Sequence, residues 1–360
     1  MKKYLYAFLV ILISAMMIFS GCSSKTSSST TSTTTTTTAT PEATTRTITD
    51  MAGVHVVIPT KITKIADAWR AHNEVVTMLG AGSEIIATCL TPDTSPWLYK
   101  VNPQMKNAVV CFTTDVNMEE LIKSAPDIVF VSVGAKYIDK ITAAGIPVVQ
   151  LNFTDFDSLK QCYKLTGDIL GADTSKQADA YISYLNSKMQ MLNDVTSKIP
   201  DTNKPKVLHI ASVNPIQIDG SKTIIDSWIN IAGGINAAAG TTGNFQAVTM
   251  EQILAWNPDK IILMNSATGA DTIFTDSVWA QVPAIKNNQI FRNPEGAFPW
   301  DRYSAEEALQ IQWAAKTLNP DKFASLDLVQ ETISFYKTFI HYSLTTDDAQ
   351  RILNGQKPLP

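Results

Sequence analysis

Val116-Asn117-Met118-Glu119-Glu120-Leu121-Ile122, followed by Pro126-Asp127-Ile128-Val129-Phe130, returns later in the chain. The second copy is Val248-Thr249-Met250-Glu251-Gln252-Ile253-Leu254, followed by Pro258-Asp259-Lys260-Ile261-Ile262. Spacing inside the two copies is the same. Each reads as a short amphipathic helix, a Pro-Asp turn and an apolar strand. The copies lie too far apart for a solenoid, so the repetition predicts two similar lobes. Asn117 and Thr249 are good N-caps. Glu120 and Gln252 stand three residues on, where a capping box folds the side chain back onto the cap. That leaves Glu119 and Glu251 pointing outward. A first-turn acid complements a helix dipole by itself. The same exposed acid at the same place in two lobes argues for a paired docking role.

Working outward, Lys64-Ile65-Ala66-Asp67-Ala68 begins a strand that leads into a helix over residues 73–79. Strand-like runs at 129–134 and 146–151 flank a helical stretch and make a βαβ unit. A second such series starts at residues 206–210. Between them, residues 174–199 predict one long helix, with Ala178, Tyr181, Ile182, Leu185, Met189 and Leu192 near helical spacing. The expected fold class is α/β: two doubly wound lobes joined by one long backbone helix. The expected boundaries are 46–170 for the first lobe, 171–200 for the interlobe helix and 201–360 for the second lobe.

A chain of 360 residues with 45% hydrophobic content is long enough for two packed domains. The net charge is -4 and no basic tract occurs, so nucleic acid is not an expected partner. Met1-Lys2-Lys3 opens a secretory signal layout, with an apolar run from Tyr4 to Phe19 and then Ser20-Gly21-Cys22. The run is short for a membrane span, which takes roughly 20 residues. The small pair before cysteine resembles the bacterial lipobox, in which Cys22 becomes the lipidated first residue; Phe19 stands where that pattern more often has Leu. Residues 1–22 are therefore expected to be a lipoprotein signal peptide. Residues 23–45, almost all Ser and Thr, are expected to be a disordered tether. With Cys22 lipidated, Cys89, Cys111 and Cys162 remain. An odd number without a CxxC argues against a disulfide framework or a structural zinc site. Cys89 and Cys111 sit in strand-like runs as core thiols, and a bridge between them stays open.

Arg46-Thr47-Ile48-Thr49-Asp50-Met51-Ala52-Gly53, the two Met-Glu helices, the run 207–220 and Ile231-Ala232-Gly233-Gly234-Ile235-Asn236 follow one another in a specific order. Together they resemble the class III solute-binding proteins of ABC importers, those for cobalamin, haem and iron–siderophores. The resemblance covers residues 45 to about 320. It implies a solute held between lobes with little domain closure. It also implies that Glu119 and Glu251 pair with arginines of the two permease subunits, driven by their ATPase. The location implied is extracytoplasmic, lipid-anchored to the cell membrane.

Ligands of doubly wound sheets sit outside the carboxyl ends of the strands. That singles out Trp69, Arg70 and His72, then Trp97 and Tyr99, then Lys136 and Tyr137. In the second lobe it singles out Asn214, Arg292, Trp300, Arg302 and Tyr303. Aromatics with a few cations suit a bulky anionic chelate. No cofactor and no protein-held metal is expected, because His55, His209 and His341 show no ligand spacing. His72 completing the coordination of a chelated ion is a live expectation. The stretch from Trp300 through Trp313 to Tyr336 is similar to members for iron or nickel complexes, and a ferric siderophore or other iron complex is the expected solute. Cobalamin, haem and a nickel chelate fit the same cleft. An enzyme is the main rival class, yet no GxSxG, HExxH or P-loop occurs, and Gly80-Ala81-Gly82 follows a helix and lacks a third glycine. A surface sensor or adhesin is the other rival.

Overall fold

β1 (Thr45–Thr49) and β2 (His55–Pro59) pair antiparallel around a tight turn. Asp50 shapes that turn: its Oδ1 accepts from the N–H groups of Ala52 and Val54, and Gly53 takes the left-handed backbone with φ of 80°. The computed structural model describes residues 44–359. The signal segment, Cys22 and all of the tether up to residue 43 lie outside the described residues.

The first sheet holds β3 (Ile65–Asp67), β4 (Ile85–Thr88), β5 (Val109–Val110), β6 (Ile128–Ser132) and β7 (Val148–Leu151). Its order is β5-β4-β3-β6-β7 and every pair is parallel. Strand order reverses at β3 and β6, which opens a crevice beyond their carboxyl ends. β6 is apolar from Ile128 to Val131 because helices cover both faces of a parallel sheet. The second sheet holds β8 (Lys206–Val213), β9 (Ile216–Ile218), β10 (Ile235–Asn236), β11 (Gln246–Ala247), β12 (Lys260–Thr268) and β13 (Ile290–Arg292). Here β8, β12 and β13 run parallel, whereas β9 folds back antiparallel on β8 and carries β11. The second lobe is thus a mixed sheet.

The repeat predicted two similar lobes, and its parts do the same work in each. Asn117 and Thr249 cap the helices Met118–Ser124 and Met250–Trp256, accepting from the N–H groups of Glu120 and Gln252. The Asp of each Pro-Asp turn then pins the first strand of its lobe. Asp127 accepts from the N–H groups of Thr63 and Lys64, and Asp259 from that of Lys206. One detail departs from expectation. Gln252 closes a full capping box on Thr249, but Glu120 does not close one on Asn117. The Asn117 N–H already donates to the Cys111 carbonyl at 2.8 Å, so Glu120 turns to Lys123 instead. Glu119 and Glu251 are exposed.

The long helix spans Ala172–Thr196 and ends three residues before the predicted limit. It packs on the helix Phe156–Leu170 and on Glu307–Leu318 of the second lobe. Tyr181 donates to the Ala305 carbonyl at 2.7 Å, and Lys188 pairs with Glu331 at 2.7 Å. One buried cluster runs from Ile65 and Phe130 through Tyr163 and Tyr181 to Trp228, Trp300 and Phe335. The two sheets therefore share a core, and the described residues 44–359 form a single body by their contacts. Cys89, Cys111 and Cys162 are free thiols. Burial pushes the Cys89 thiol up to about 12.

Candidate functional site

A cavity of about 590 Å³ lies between the lobes. The first lobe contributes Ala68, Trp69, Arg70 and Ala71 from the turn after β3, with Thr94 and Ser95 from the loop after β4. The second lobe contributes Phe245, Met264, Ser266, the run Glu295–Pro299, Arg302 and Tyr303.

Arg302 anchors the second-lobe wall. It is 6% exposed. Its Nη2 donates to Asp219 Oδ2 at 2.7 Å, and its guanidinium carbon lies 4.4 Å from the Phe245 ring centre. Nε is 3.6 Å from Asp301 Oδ2, too far for a hydrogen bond. Nε and Nη1 are buried and have no hydrogen-bond partner among the described residues. Asp219 serves three donors: Arg302, His209 Nδ1 at 2.8 Å and the Phe245 N–H at 3.0 Å. His209 Nε2 meets Asp301 at 2.9 Å. Burial alone would lower the His209 pKa, but its hydrogen bonds to Asp219 and Asp301 outweigh it and raise it. Burial likewise opposes ionisation of Asp219, yet His209 and Arg302 hold its carboxyl well below the ordinary range. One guanidinium and one imidazole thus meet two carboxyl groups in a buried network. What remains is directional: unpaired guanidinium N–H groups, each costing about 1–3 kcal/mol until an acceptor arrives.

Two aromatic residues on this wall take left-handed backbone, Phe245 with φ of 55° and Tyr303 with φ of 63°. Bulky residues rarely do so, and such strain of about 1–3 kcal/mol collects at functional sites. The Asp219 contact holds Phe245. Asn244 Nδ2 donates to Tyr303 Oη at 2.6 Å, and Trp69 meets the Tyr303 ring edge-on at 6.0 Å. On the first-lobe side Arg70 is exposed and makes no hydrogen bond or ion pair among the described residues.

The profile of the periplasmic binding proteins matches residues 71–297. The chain belongs to the periplasmic binding protein family. It is 27% identical over 340 residues to the molybdate-binding protein MolA of Haemophilus influenzae, covering 85% of this chain and 94% of that one. A periplasmic solute-binding protein from Veillonella parvula superposes with a TM-score of 0.73 at 29% identity, covering 86% and 97% of the two chains. CeuE of Helicobacter pylori, solved as a nickel–histidine complex, shares the fold with a TM-score of 0.69 at 17% identity, covering 86% and 99%. The class III reading of the sequence is therefore correct. The chain is a solute-binding protein of an ABC transporter, and an extracytoplasmic location goes with that family. These relatives are transport proteins rather than enzymes.

The binding protein brings four of the sequence-predicted residues together around the cavity: Trp69, Arg70, Arg302 and Tyr303. Trp97 faces a separate side cavity of about 200 Å³, where its indole donates to the Gln356 carbonyl at 2.8 Å. The others point elsewhere. His72 does not face the cavity: its ring is buried, with Nδ1 on Asp67 at 2.8 Å and Nε2 on Thr166 at 2.9 Å. Both nitrogens are used, so the expected metal contact has no free donor. Tyr99 is buried and donates to the Leu90 carbonyl. Trp300 is buried and donates to Glu306 at 2.7 Å. Lys136 is exposed and Tyr137 packs on Phe112, both outside the lining. Asn214 borders a different groove beside Glu251, and Arg292 donates to the Asn265 carbonyl at 2.6 Å. Sequence reasoning missed Asp219, His209, Phe245 and Glu295. Asp219 follows β9, which runs antiparallel to β8, so the rule for the carboxyl ends of parallel strands does not point to it. Among the described residues, no group of three or more His, Cys, Asp or Glu is placed to hold a metal ion.

Proposed function

We propose that the cavity captures an anionic metal complex that presents oxygen atoms, a ferric siderophore or related iron chelate, and delivers it to an ABC importer. The observation that carries this reading is the buried Arg302, with Nε and Nη1 unpartnered beside a stacked Phe245. Oxygen atoms of an anionic solute are drawn to the guanidinium charge, and a small shift of the wall would bring them onto those buried donors. Trp69, Phe245, Phe298 and Tyr303 offer rings to the body of the complex, and Arg70 adds a second cation at the opposite wall. The volume falls in the range of roughly 300–1,000 Å³ typical of sites for small molecules. Cobalamin, haem and nickel chelates would be held by the same means. Molybdate is the second reading, favoured by the relative that bears that name. A compact oxyanion would meet Arg302 and leave the aromatic wall unused.

Glu119 and Glu251 support docking to a permease dimer, because both are exposed at equivalent helix starts. Exposed ion pairs contribute only about 0–1 kcal/mol each. Two of them on a rigid body still fix orientation and speed encounter. Lipid attachment at Cys22 and the Ser/Thr tether would keep the protein near the membrane that carries its permease.

The test is a thermal-shift and calorimetric panel of ferric siderophores, cobalamin, haem, the nickel–histidine complex and molybdate. A solute at 100 times its Kd adds about 2.7 kcal/mol of stability. A shift with an iron chelate that disappears in Arg302→Gln supports the reading. No shift with any member overturns it.

A further inference from the structure

Glu295 is the one carboxylate among the described residues that line the cavity, and nothing in an anion site asks for it. It also borders the smaller side cavity, so it forms part of the wall between the two. Its position is fixed on every side. The Glu295 N–H donates to the Ile352 carbonyl at 3.1 Å. Its Oε2 accepts from Asn265 Nδ2 at 2.7 Å. Asn265 is itself held, donating to the Gly355 carbonyl at 2.9 Å and accepting from Arg292 at 2.6 Å. Oε1 carries no hydrogen bond among the described residues. The group is half-buried, and a carboxylate oxygen with that little solvation accepts strongly.

Opposite signs therefore line one cavity: the guanidinium groups of Arg302 and Arg70, and the carboxylate of Glu295. We infer that Glu295 is a specificity residue that selects solutes carrying a hydrogen-bond donor, an amine, amide or hydroxyl N–H or O–H, alongside their anionic oxygens, and rejects complexes that present acceptors only. This inference rests on the reading of the cavity as the solute site. An acceptor-only anion meets Arg302 well but sets oxygen against oxygen at Glu295, and like charges disfavour it there. A donor-bearing complex satisfies both ends. Burial lifts the Glu295 carboxyl above its ordinary range, with the Asn265 hydrogen bond opposing, which marks a carboxylate short of donors.

Glu295→Gln turns the polarity of this wall over without changing its shape. Asn265 keeps its acceptor only if the new amide oxygen takes the Oε2 place. The amide nitrogen then takes the Oε1 place and offers a donor to the cavity.

Two probes separate the cases. Molybdate carries acceptors only, whereas the preformed nickel–histidine complex carries carboxylate oxygens and coordinated amine N–H groups. Calorimetric titration of the full chain should show the nickel–histidine complex bound at least about tenfold more tightly than molybdate. In Glu295→Gln the nickel–histidine complex should weaken about tenfold and molybdate should tighten about tenfold, reversing the order. Glu295→Ala removes the acceptor without adding a donor, so it should lose the nickel–histidine preference and gain less for molybdate. Arg302→Gln should weaken both probes. If both probes bind and both depend on Arg302, yet the Glu295 variants move them equally or not at all, the inference is overturned while the site stands. If neither probe binds the wild-type chain, Glu295 selection between them is overturned, and the cavity reading is judged by the iron chelates; if both bind and Arg302→Gln changes neither, the reading of the cavity itself fails and Glu295 selection falls with it.

Discussion

Arg302 donates from Nη2 to Asp219 at 2.7 Å and leaves Nη1 and Nε without a partner, although the residue is 6% exposed. One side of the guanidinium is tied to Asp219, and the other is buried without an acceptor among the described residues. Arg302→Gln should lower solute affinity about 10–100-fold, the worth of one or two charge-assisted hydrogen bonds. It should also lower stability by about 3–5 kcal/mol, because Asp219 and Asp301 lose a buried counter-charge. Arg302→Lys keeps the charge but not the fork, so it should restore most of the stability and little of the affinity. Calorimetry and denaturant unfolding on the same samples separate the two effects. An affinity loss under threefold in Arg302→Gln would remove Arg302 from the site.

Glu119 and Glu251 belong to helices whose capping Asn117 and Thr249 fix the first turn, and neither acid touches the cavity. Charge reversal at both, Glu119→Lys with Glu251→Lys, should leave solute affinity within twofold. Import by the reconstituted transporter should fall at least about tenfold, with each single variant between, since the two contacts act together in setting orientation. Raising salt should weaken the wild-type response and not the doubly reversed one. Full import by the double variant would refute paired docking.

Gly296 lies on the cavity wall, and a Cβ there would collide with Glu306 Oε1 and Tyr336 Oη. Those two atoms belong to a hydrogen-bonded cluster that also takes in Trp300 and the Phe298 N–H. Gly296→Ala should cost about 1–3 kcal/mol through overpacking. It should also weaken solute binding, because relief requires the Phe298 segment to move. Thermal unfolding near the wild-type midpoint would show that the cluster gives way freely.

The two-lobe plan was legible because it is written in local pattern. Apolar strand runs, caps and Pro-Asp turns need no knowledge of distant residues, and the repeat displays them twice. Half of the site was legible for a related reason: Trp69 and Arg70 follow β3, so topology alone sends them to the crevice. His72 was misjudged because its role depends on Thr166, 94 residues away, which takes the nitrogen that would have met the solute. Asp219 was invisible for the same cause. Its importance lies in joining His209, Phe245 and Arg302, which are distant in sequence from one another. Composition and periodicity hold no term for such a junction.

Stability should fall as pH rises from about 5 to 7, the reverse of ordinary acid denaturation. Glu74, Glu306 and Glu307 are all completely buried where the lobes meet. Burial lifts Glu306 to about 7 even though Tyr336, Phe298 and Trp300 all donate to it. Burial lifts Glu74 well above its ordinary range, and the charge of Glu306 adds to the effect; its Oε2 accepts from the Ala305 N–H of the other lobe at 3.0 Å. Burial lifts Glu307 well up as well, with Asp301 adding, while Arg302 and the Tyr303 backbone N–H oppose. A carboxyl whose pKa is raised on folding holds a proton that the unfolded chain has released above about 4.5. Its stabilising contribution is complete below that value and is lost as pH rises through the folded value. His209, also raised, adds a loss of the same sign above about 6.5. Asp219 is depressed, so its contribution is already complete above about 3.8 and does not change across this window. Each extra proton held by the folded chain contributes a slope of about 1.4 kcal/mol per pH unit. Glu307→Gln removes one of them, so urea unfolding at pH 5, 6 and 7 should give a shallower decline than wild type by about that amount. Parallel curves for the two proteins would mean that Glu307 is ionised in the folded chain.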